Sequence, residues 1–125
     1  GHICFNFYKE KLLFTGDTLF SLGCGKIFEG TYEQMFNSLK KIKALPLDTK
    51  IFCGHEYTLN NSKFCIKHDN ENLSLQKKIQ DIEIKFNDSL PTIPSTLKEE
   101  MDCNIFLRAK DVKTFSKLRD LKDNF

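Results

Sequence analysis

Residues 3–8, ICFNFY, alternate along the chain, with Ile3, Phe5 and Phe7 on one face and Cys4, Asn6 and Tyr8 on the other, the period of a β-strand. The charged KEK at 9–11 breaks the pattern and LLFT at 12–15 resumes an apolar run, so the opening segment is predicted to form a β-hairpin. From Phe20 to Gly30 the stretch FSLGCGKIFEG holds three glycines and no steady period, which predicts a loop. Tyr32, Met35, Phe36, Leu39, Ile42 and Leu45 then recur at helical spacing. Thr31 and Gln34 make a capping box ahead of them and Pro46 lies just past the end, so an amphipathic helix of about four turns is predicted. KIFC at 50–53 is a short apolar strand that runs into Gly54.

Beyond Thr58 the pattern becomes helical. Helices are predicted over 59–68, 71–87, 95–102 and 112–122, with SLPTIP at 89–94 as the main linker and Leu75, Ile79, Ile82 and Phe86 as the inner face of the second helix. Strands, loop, helix and strand in this order predict a layered α/β architecture with a helix on a sheet, followed by a small helical lobe.

Composition narrows the picture. The 125 residues, 40% hydrophobic and 12% aromatic, are enough to bury one core, as a single domain or as part of a larger one. The chain starts at Gly1 directly on a strand, as the back part of a longer chain would. Nineteen basic and 17 acidic residues are spread along the chain, whereas a nucleic-acid binder concentrates its basic residues on one face. Five cysteines, at 4, 24, 53, 65 and 103, show no CxxC spacing and favour neither a disulfide framework nor a thiolate zinc site, which suits a reducing cytoplasm. No apolar run approaches a membrane span and no signal peptide is visible, so neither nucleic acid nor membrane is expected as a partner.

Two strands end alike, on Gly16-Asp17 and on Gly54-His55. A carboxylate and an imidazole presented from neighbouring strand ends suit a divalent transition metal, and the preceding glycines permit close backbone approach. The local alternative for Asp17 is a turn or helix-capping residue. His68, between Lys67 and Asp69, reads as a solvated or dipole-facing residue at a helix end, and His2 as a hydrogen-bonded sheet residue. Cys24 sits beside Lys26, which could lower its pKa, but small-residue packing is the plainer reading. Gly23, Gly25 and Gly30 fit neither GxxxxGK[ST] nor GxGxxG, although Lys26 could still meet an anion. Arg119 and Lys122, three apart on the last helix, share one face; on sequence alone a solvated basic face is the commoner fate of such a pair.

Taken in order, FTGDTLFSLGCGKIFEGT, CGHEYTLNNSKF, PSTLKEE, NIFLR and the terminal LRDLKDNF closely resemble glyoxalase II, the hydroxyacylglutathione hydrolases of the metallo-β-lactamase fold, over essentially the whole chain. The resemblance implies an α/β (α+β) fold: residues 1–57 as the C-terminal half of an αββα sandwich, and residues 58–125 as a small helical glutathione-binding domain. It implies hydrolysis of S-D-lactoylglutathione to D-lactate and glutathione, in methylglyoxal detoxification, by a hydroxide generated at two divalent metal ions; zinc, iron and manganese all remain open. By motif, Asp17 matches the aspartate that bridges the metals and acts through them, and His55 matches a histidine on the second metal. Lys26, Tyr57, Asn61, Arg119 and Lys122 match positions that hold the glutathione moiety, whose two carboxylates suit basic partners.

The sequence also departs from that pattern. The HxHxDH motif that supplies four metal ligands is missing, His2 matches a segment that does not ligate, and a further ligand histidine would fall just ahead of Gly1. Phe28 stands where some members have a tyrosine on glutathione, Ile105 replaces a frequent proline, and the spacer from Arg108 to Arg119 is shorter than usual. With only Asp17 and His55 of the ligand set, the isolated chain is expected to be inactive and its strands to lack an opposing sheet, unless a separate N-terminal half completes it. The alternative function is a non-catalytic remnant or glutathione-binding module. Another hydrolase of the same fold, such as a lactamase, ribonuclease or persulfide dioxygenase, is opposed by FLR and RDLK in the helical tail.

Overall fold

The predicted opening hairpin is present, and it is the outer half of a four-stranded sheet. A computed structural model describes residues 4–26 and 31–125, so the readings that involve His2, Ile3, Phe28 and Gly30 lie outside the described residues. Strands β1 (Phe5–Phe7) and β2 (Leu12–Gly16) pair antiparallel, with Phe5 opposite Phe14 and Phe7 opposite Leu12. Helix α1 (Tyr32–Lys43) then returns the chain to β5 (Lys50–Cys53), which runs parallel to β2, as a strand reached through a crossover helix does. Thr31 and Gln34 close the capping box at the start of α1, as their spacing requires.

Between β2 and α1 the structure corrects the expectation of a plain loop. Residues 19–24 form a tight hairpin of β3 (Leu19–Phe20) and β4 (Gly23–Cys24), and the whole segment is buried. Two residue pairs have too little length for periodicity to register, and the hairpin is held by partners far along the chain.

The helical lobe comprises α2 (Thr58–His68), α3 (Leu73–Asn87), α4 (Leu97–Cys103), α5 (Ile105–Arg108) and α6 (Val112–Asp123). Two details differ from the pattern reading. Ser95 and Thr96 are not helical: they form β6, which pairs antiparallel with Lys50 and Ile51, giving the sheet order β1-β2-β5-β6. Beside this pairing, the Leu97 and Lys98 amides at the head of α4 donate to the carbonyls of Thr49 and Leu47. On α3, Phe86 is 63% exposed, and the buried stripe is Leu75, Lys78 and Ile82. The Lys78 ammonium meets the Glu99 carboxylate of α4, so a charged residue occupies a position that apolar periodicity passes over.

Sheet and helices share one core. Leu13 and Ile51 on the inner face of the sheet, Met35, Leu39 and Ile42 of α1, and Phe64, Phe106 and Phe115 of the helical lobe belong to a single buried cluster. The other face of the sheet is aromatic and uncovered: Phe7 meets Phe14 edge-on at 5.8 Å and Phe14 stacks on Phe52 at 5.0 Å, while Phe5 and Phe7 are half or more exposed.

Candidate active site

The sheet delivers Asp17 and His55 to the same place. β2 and β5 are neighbours, and the ladder slips by one residue between Phe14 and Gly16, which sets Gly16 beside Cys53. Gly16 takes the left-handed conformation (φ 51°) that glycine adopts without a steric penalty, and the Gly54 amide donates to its carbonyl at 2.7 Å. The next residues on each strand then face one another, with His55 Nε2 3.3 Å from Asp17 Oδ1 and both side chains about half exposed. A Cβ on Gly54 would stand 3.0 Å from Asp17 Oδ1 and 3.1 Å from the Gly16 carbonyl oxygen. Gly54→Ala is therefore expected to push Asp17 off His55 and to cost about 1 kcal/mol of stability, measurable by chemical denaturation.

An aromatic wall adjoins the pair. The His55 ring stacks on Tyr57 at 4.9 Å and 11°, and Phe20 stands edge-on to Tyr57 at 5.1 Å. Between them in sequence, the Glu56 carboxylate turns away and accepts from the Thr92 amide at 3.2 Å and from the hydroxyls of Thr92 and Thr58, tying this segment to the 89–94 linker.

A cavity of about 430 Å³ opens on these groups, lined by Asp17, Phe20, Gly25, Lys26, His55, Tyr57, Asn60, Asn61 and Lys122. Residues far apart in sequence thus meet: the metal-type pair, the tyrosine, and two cations from a loop and from the last helix. Burial holds the Lys122 ammonium below its ordinary pKa, and the neighbouring charges of Arg119 and Lys26 push it the same way. Phe20 and Asn60 were not singled out from the sequence; an aromatic in a glycine-rich segment and the first of two asparagines on a helix carry no distinguishing pattern.

Arg119 does not line the cavity. It is 3% exposed, and its guanidinium donates to the carbonyl of Cys24 at 2.5 Å and to Asp123 at 2.9 Å, so it lies beneath the wall with its partners already made. Asn61 is also largely buried, with its amide on the Ser21 carbonyl at 3.1 Å. Cys24 is buried. Burial pushes its thiol up to about 11 and outweighs the opposing pull of Arg119, so the lowering suggested by the nearby Lys26 does not occur. His68 ends α2 exposed, packed against the Phe64 ring at 4.6 Å and outside the cavity.

Under the β3–β4 hairpin sits a carboxylate that the sequence reading missed. Glu100 is wholly buried and accepts from the Leu22 amide at 2.8 Å, Asn104 Nδ2 at 3.0 Å and the Ser21 hydroxyl at 3.2 Å. Burial raises its pKa against the pull of the Leu22 amide and the Asn104 side chain. The signal in the sequence was only its place in PSTLKEE, where helical spacing from Leu97 and Cys103 marks it as inward-facing.

A family model described as "Hydroxyacylglutathione hydrolase C-terminus" matches residues 56–125, more than half of the chain. The chain belongs to this family. Residues 1–55 match a second model, that of the metallo-beta-lactamase superfamily, so the family's two characteristic regions follow one another here as they do in the resemblance. Similar proteins named hydroxyacylglutathione hydrolase occur in Pelagibacter ubique (strain HTCC1062), 70% identical over all of this chain and 52% of the relative, and in Rhodopseudomonas palustris (strain HaA2), 50% identical over 86% of this chain and 42% of the relative. One from Prochlorococcus marinus (strain MIT 9301) is 49% identical over 98% of this chain and 50% of the relative. The chain spans about half the length of the curated relatives it matches. The fold expected from the resemblance, a metallo-β-lactamase C-terminal portion followed by a helical part, is the one observed.

The superfamily implies a divalent metal in the complete hydroxyacylglutathione hydrolase. The donors present suit one: a carboxylate and an imidazole, side by side, half exposed and opening on one cavity. No group of three or more histidine, cysteine, aspartate or glutamate side chains gathers among the described residues. A catalytic site of this type takes three protein ligands or more, so Asp17 and His55 fit a site that other donors complete. No helix among the described residues is long and apolar enough to cross a membrane.

Proposed function

We propose that this chain is the C-terminal part of a glyoxalase II that hydrolyses S-D-lactoylglutathione to D-lactate and glutathione, with residues 1–57 and 58–125 as its metal-site and glutathione-binding regions. The observation that carries the reading is that Asp17 and His55 open on the same cavity as Lys26, Tyr57 and Lys122. A metal-type pair and two ammonium groups lining one cavity match a substrate with a reactive thioester and two carboxylates.

Asp17 and His55 would hold divalent ions, two in the complete protein, with zinc, iron or manganese suited to the donors. Such ions, when bound, supply an activated water and electrostatic stabilisation of the developing oxyanion. The chain's own residues do the rest. Gly16 and Gly54 bring the two strand ends close enough for Asp17 and His55 to face one shared position. Tyr57 stacks on His55 and so limits rotation of its ring, while its hydroxyl, which makes no hydrogen bond among the described residues, would meet the ligand. Lys26 and Lys122 supply charge for the glutathione carboxylates, and Phe20 with Tyr57 packs an apolar wall against His55.

The uncovered face of Phe5, Phe7, Phe14 and Phe52 is where a preceding half would pack. Alone, with two donors, the 125-residue chain is inactive on this reading, and the complete enzyme works in the cytoplasm. The test is metal analysis and thioester hydrolysis on this chain and on a form that adds the upstream half. Stoichiometric metal and turnover are expected only in the longer form; bound metal without turnover of S-D-lactoylglutathione there would sink the proposal. In that form Lys122→Gln is expected to weaken glutathione binding by about tenfold, the scale of one charged hydrogen bond, and to flatten its dependence on ionic strength. Calorimetric titration at several salt concentrations reads both.

A further inference from the structure

The two-residue turn of the β3–β4 hairpin, Ser21-Leu22, goes against its local sequence. Leu22 has φ 60°, in the left-handed region where a side chain crowds the backbone and where turns ordinarily place glycine or asparagine. The glycine stands one position later. A Cβ on Gly23 would lie 2.6 Å from Asn61 Nδ2, so that glycine serves the close approach of α2 and not the turn. Leu22 itself is held by packing, with its side chain fully buried in the shared core.

What keeps a leucine left-handed lies far along the chain. Glu100 Oε1 accepts from the Leu22 amide at 2.8 Å, and Oε2 accepts from the Ser21 hydroxyl at 3.2 Å. Asn104 Nδ2 steadies that carboxylate at 3.0 Å and also donates to the carbonyls of Phe20 (3.3 Å) and Gly23 (3.0 Å) on either side of the turn. Glu100 and Asn104 are both wholly buried, so an acceptor lost here leaves a buried donor unpaired. The angle φ is rotation about the N–Cα bond. Glu100 fixes the peptide unit on one side of that bond and the core fixes the side chain on the other, so together they set the angle.

The turn matters because of what flanks it. Phe20 before it, and Gly25 and Lys26 after it, line the cavity that Asp17 and His55 share. We propose that Glu100 is a positioning residue: by holding Leu22 left-handed it fixes the hairpin that presents Phe20 and Lys26 to the ligand. The ligand part rests on the proposed glutathione reading; the turn itself does not.

NMR reads the turn directly. In the left-handed region the amide and α protons of one residue lie closer together than at negative φ, and give a strong NOE. In the form that carries the upstream half, Leu22 should show this NOE. Glu100→Gln should keep it, because one oxygen remains for the amide, and Glu100→Met, which fills similar space without an acceptor, should lose it. A strong Leu22 NOE in folded Glu100→Met overturns the proposal. If Glu100→Met does not fold, Glu100→Asp is read by the same criterion, since it keeps the carboxylate but withdraws it by one methylene.

Steady-state kinetics with S-D-lactoylglutathione on the same proteins then tests the link to the ligand. Glu100→Met is expected to raise KM by about tenfold, the scale of one displaced charged hydrogen bond, with kcat held within about twofold because β2 and β5 carry Asp17 and His55. Glu100→Gln is expected to stay near the wild type in both. A carboxylate that only supported folding would lower the active fraction, and so kcat, at unchanged KM; that result overturns the positioning role. If Lys26→Gln leaves KM unchanged, the glutathione reading fails at this residue, and the NOE alone decides the turn.

Discussion

Asp17→Ala, made in a form of the protein that carries the upstream half, is expected to lower thioester hydrolysis by about a hundredfold to a thousandfold or more, the scale of losing one preorganised electrostatic partner in a reaction centre. Metal content measured on the same preparation should fall with it. The reasoning starts from the strand. β2 ends in a bulge and a left-handed glycine, so Asp17 is held by backbone geometry against β5, where its carboxylate meets His55 at 3.3 Å. On the proposed reading, truncation to alanine removes both the charge and the donor oxygens that would hold the divalent ions. Asp17→Asn, which keeps the shape and one acceptor, should fall between the two. The side chain is more than half exposed and contributes to no buried cluster, so stability should change by no more than about 0.5 kcal/mol. Loss of turnover could then not be put down to unfolding. Full turnover with full metal content in Asp17→Ala would remove this residue from the reaction.

The second large effect concerns stability. Glu100→Ala should destabilise the fold by about 3 kcal/mol, because truncation leaves the Leu22 amide and the Ser21 hydroxyl buried without an acceptor and opens a void beneath the hairpin. Glu100→Gln should cost less, yet not nothing, since its amide would point a donor at groups that are themselves donors. A dependence on pH follows from the raised pKa of the buried carboxyl. Above the ordinary carboxylate value of 4.5 the folded state holds its proton more tightly than the unfolded state. Stability attributable to Glu100 therefore falls as pH rises from that value through the raised one, and is greatest below it. Lys78, the cation that partly offsets burial, is unchanged in the variant. Denaturation curves of wild type and Glu100→Gln across this range should thus show the wild type losing more with rising pH; parallel curves would mean that the carboxyl titrates as it does in water.

Local grammar explains which features were legible beforehand. Thr31, Gln34 and the apolar stripe from Met35 to Ile42 specify α1 within a dozen residues, and β1, β2 and β5 each announce themselves by alternation or by a glycine at the end. Asp17 and His55 could be paired because both follow such a glycine. What stayed hidden depends on distance. Ser95 and Thr96 become a strand only because Lys50 and Ile51 have an open edge beside them, and no property of those two residues foretells it. Phe86 shares the period of the inner face of α3 but is exposed, whereas Lys78, off that apolar pattern, is buried against Glu99 of α4. The three-residue spacing of Arg119 and Lys122 places them on one side of α6, yet spacing cannot say that one ends in a cavity and the other on a main-chain carbonyl.

The strand at Ser95–Thr96 has a consequence for recombination. A junction near residue 57 would look natural for exchanging the helical lobe between relatives, since the two family regions meet there. The lobe, however, supplies the outermost strand of the sheet and the carbonyl partners' amides at the head of α4. A chimera joined at that point inherits a foreign hem on β5, and its success will depend on whether the donor's two-residue strand matches Lys50 and Ile51. The heritable unit here is the pair of β5 with β6, stitched across more than forty residues of intervening chain.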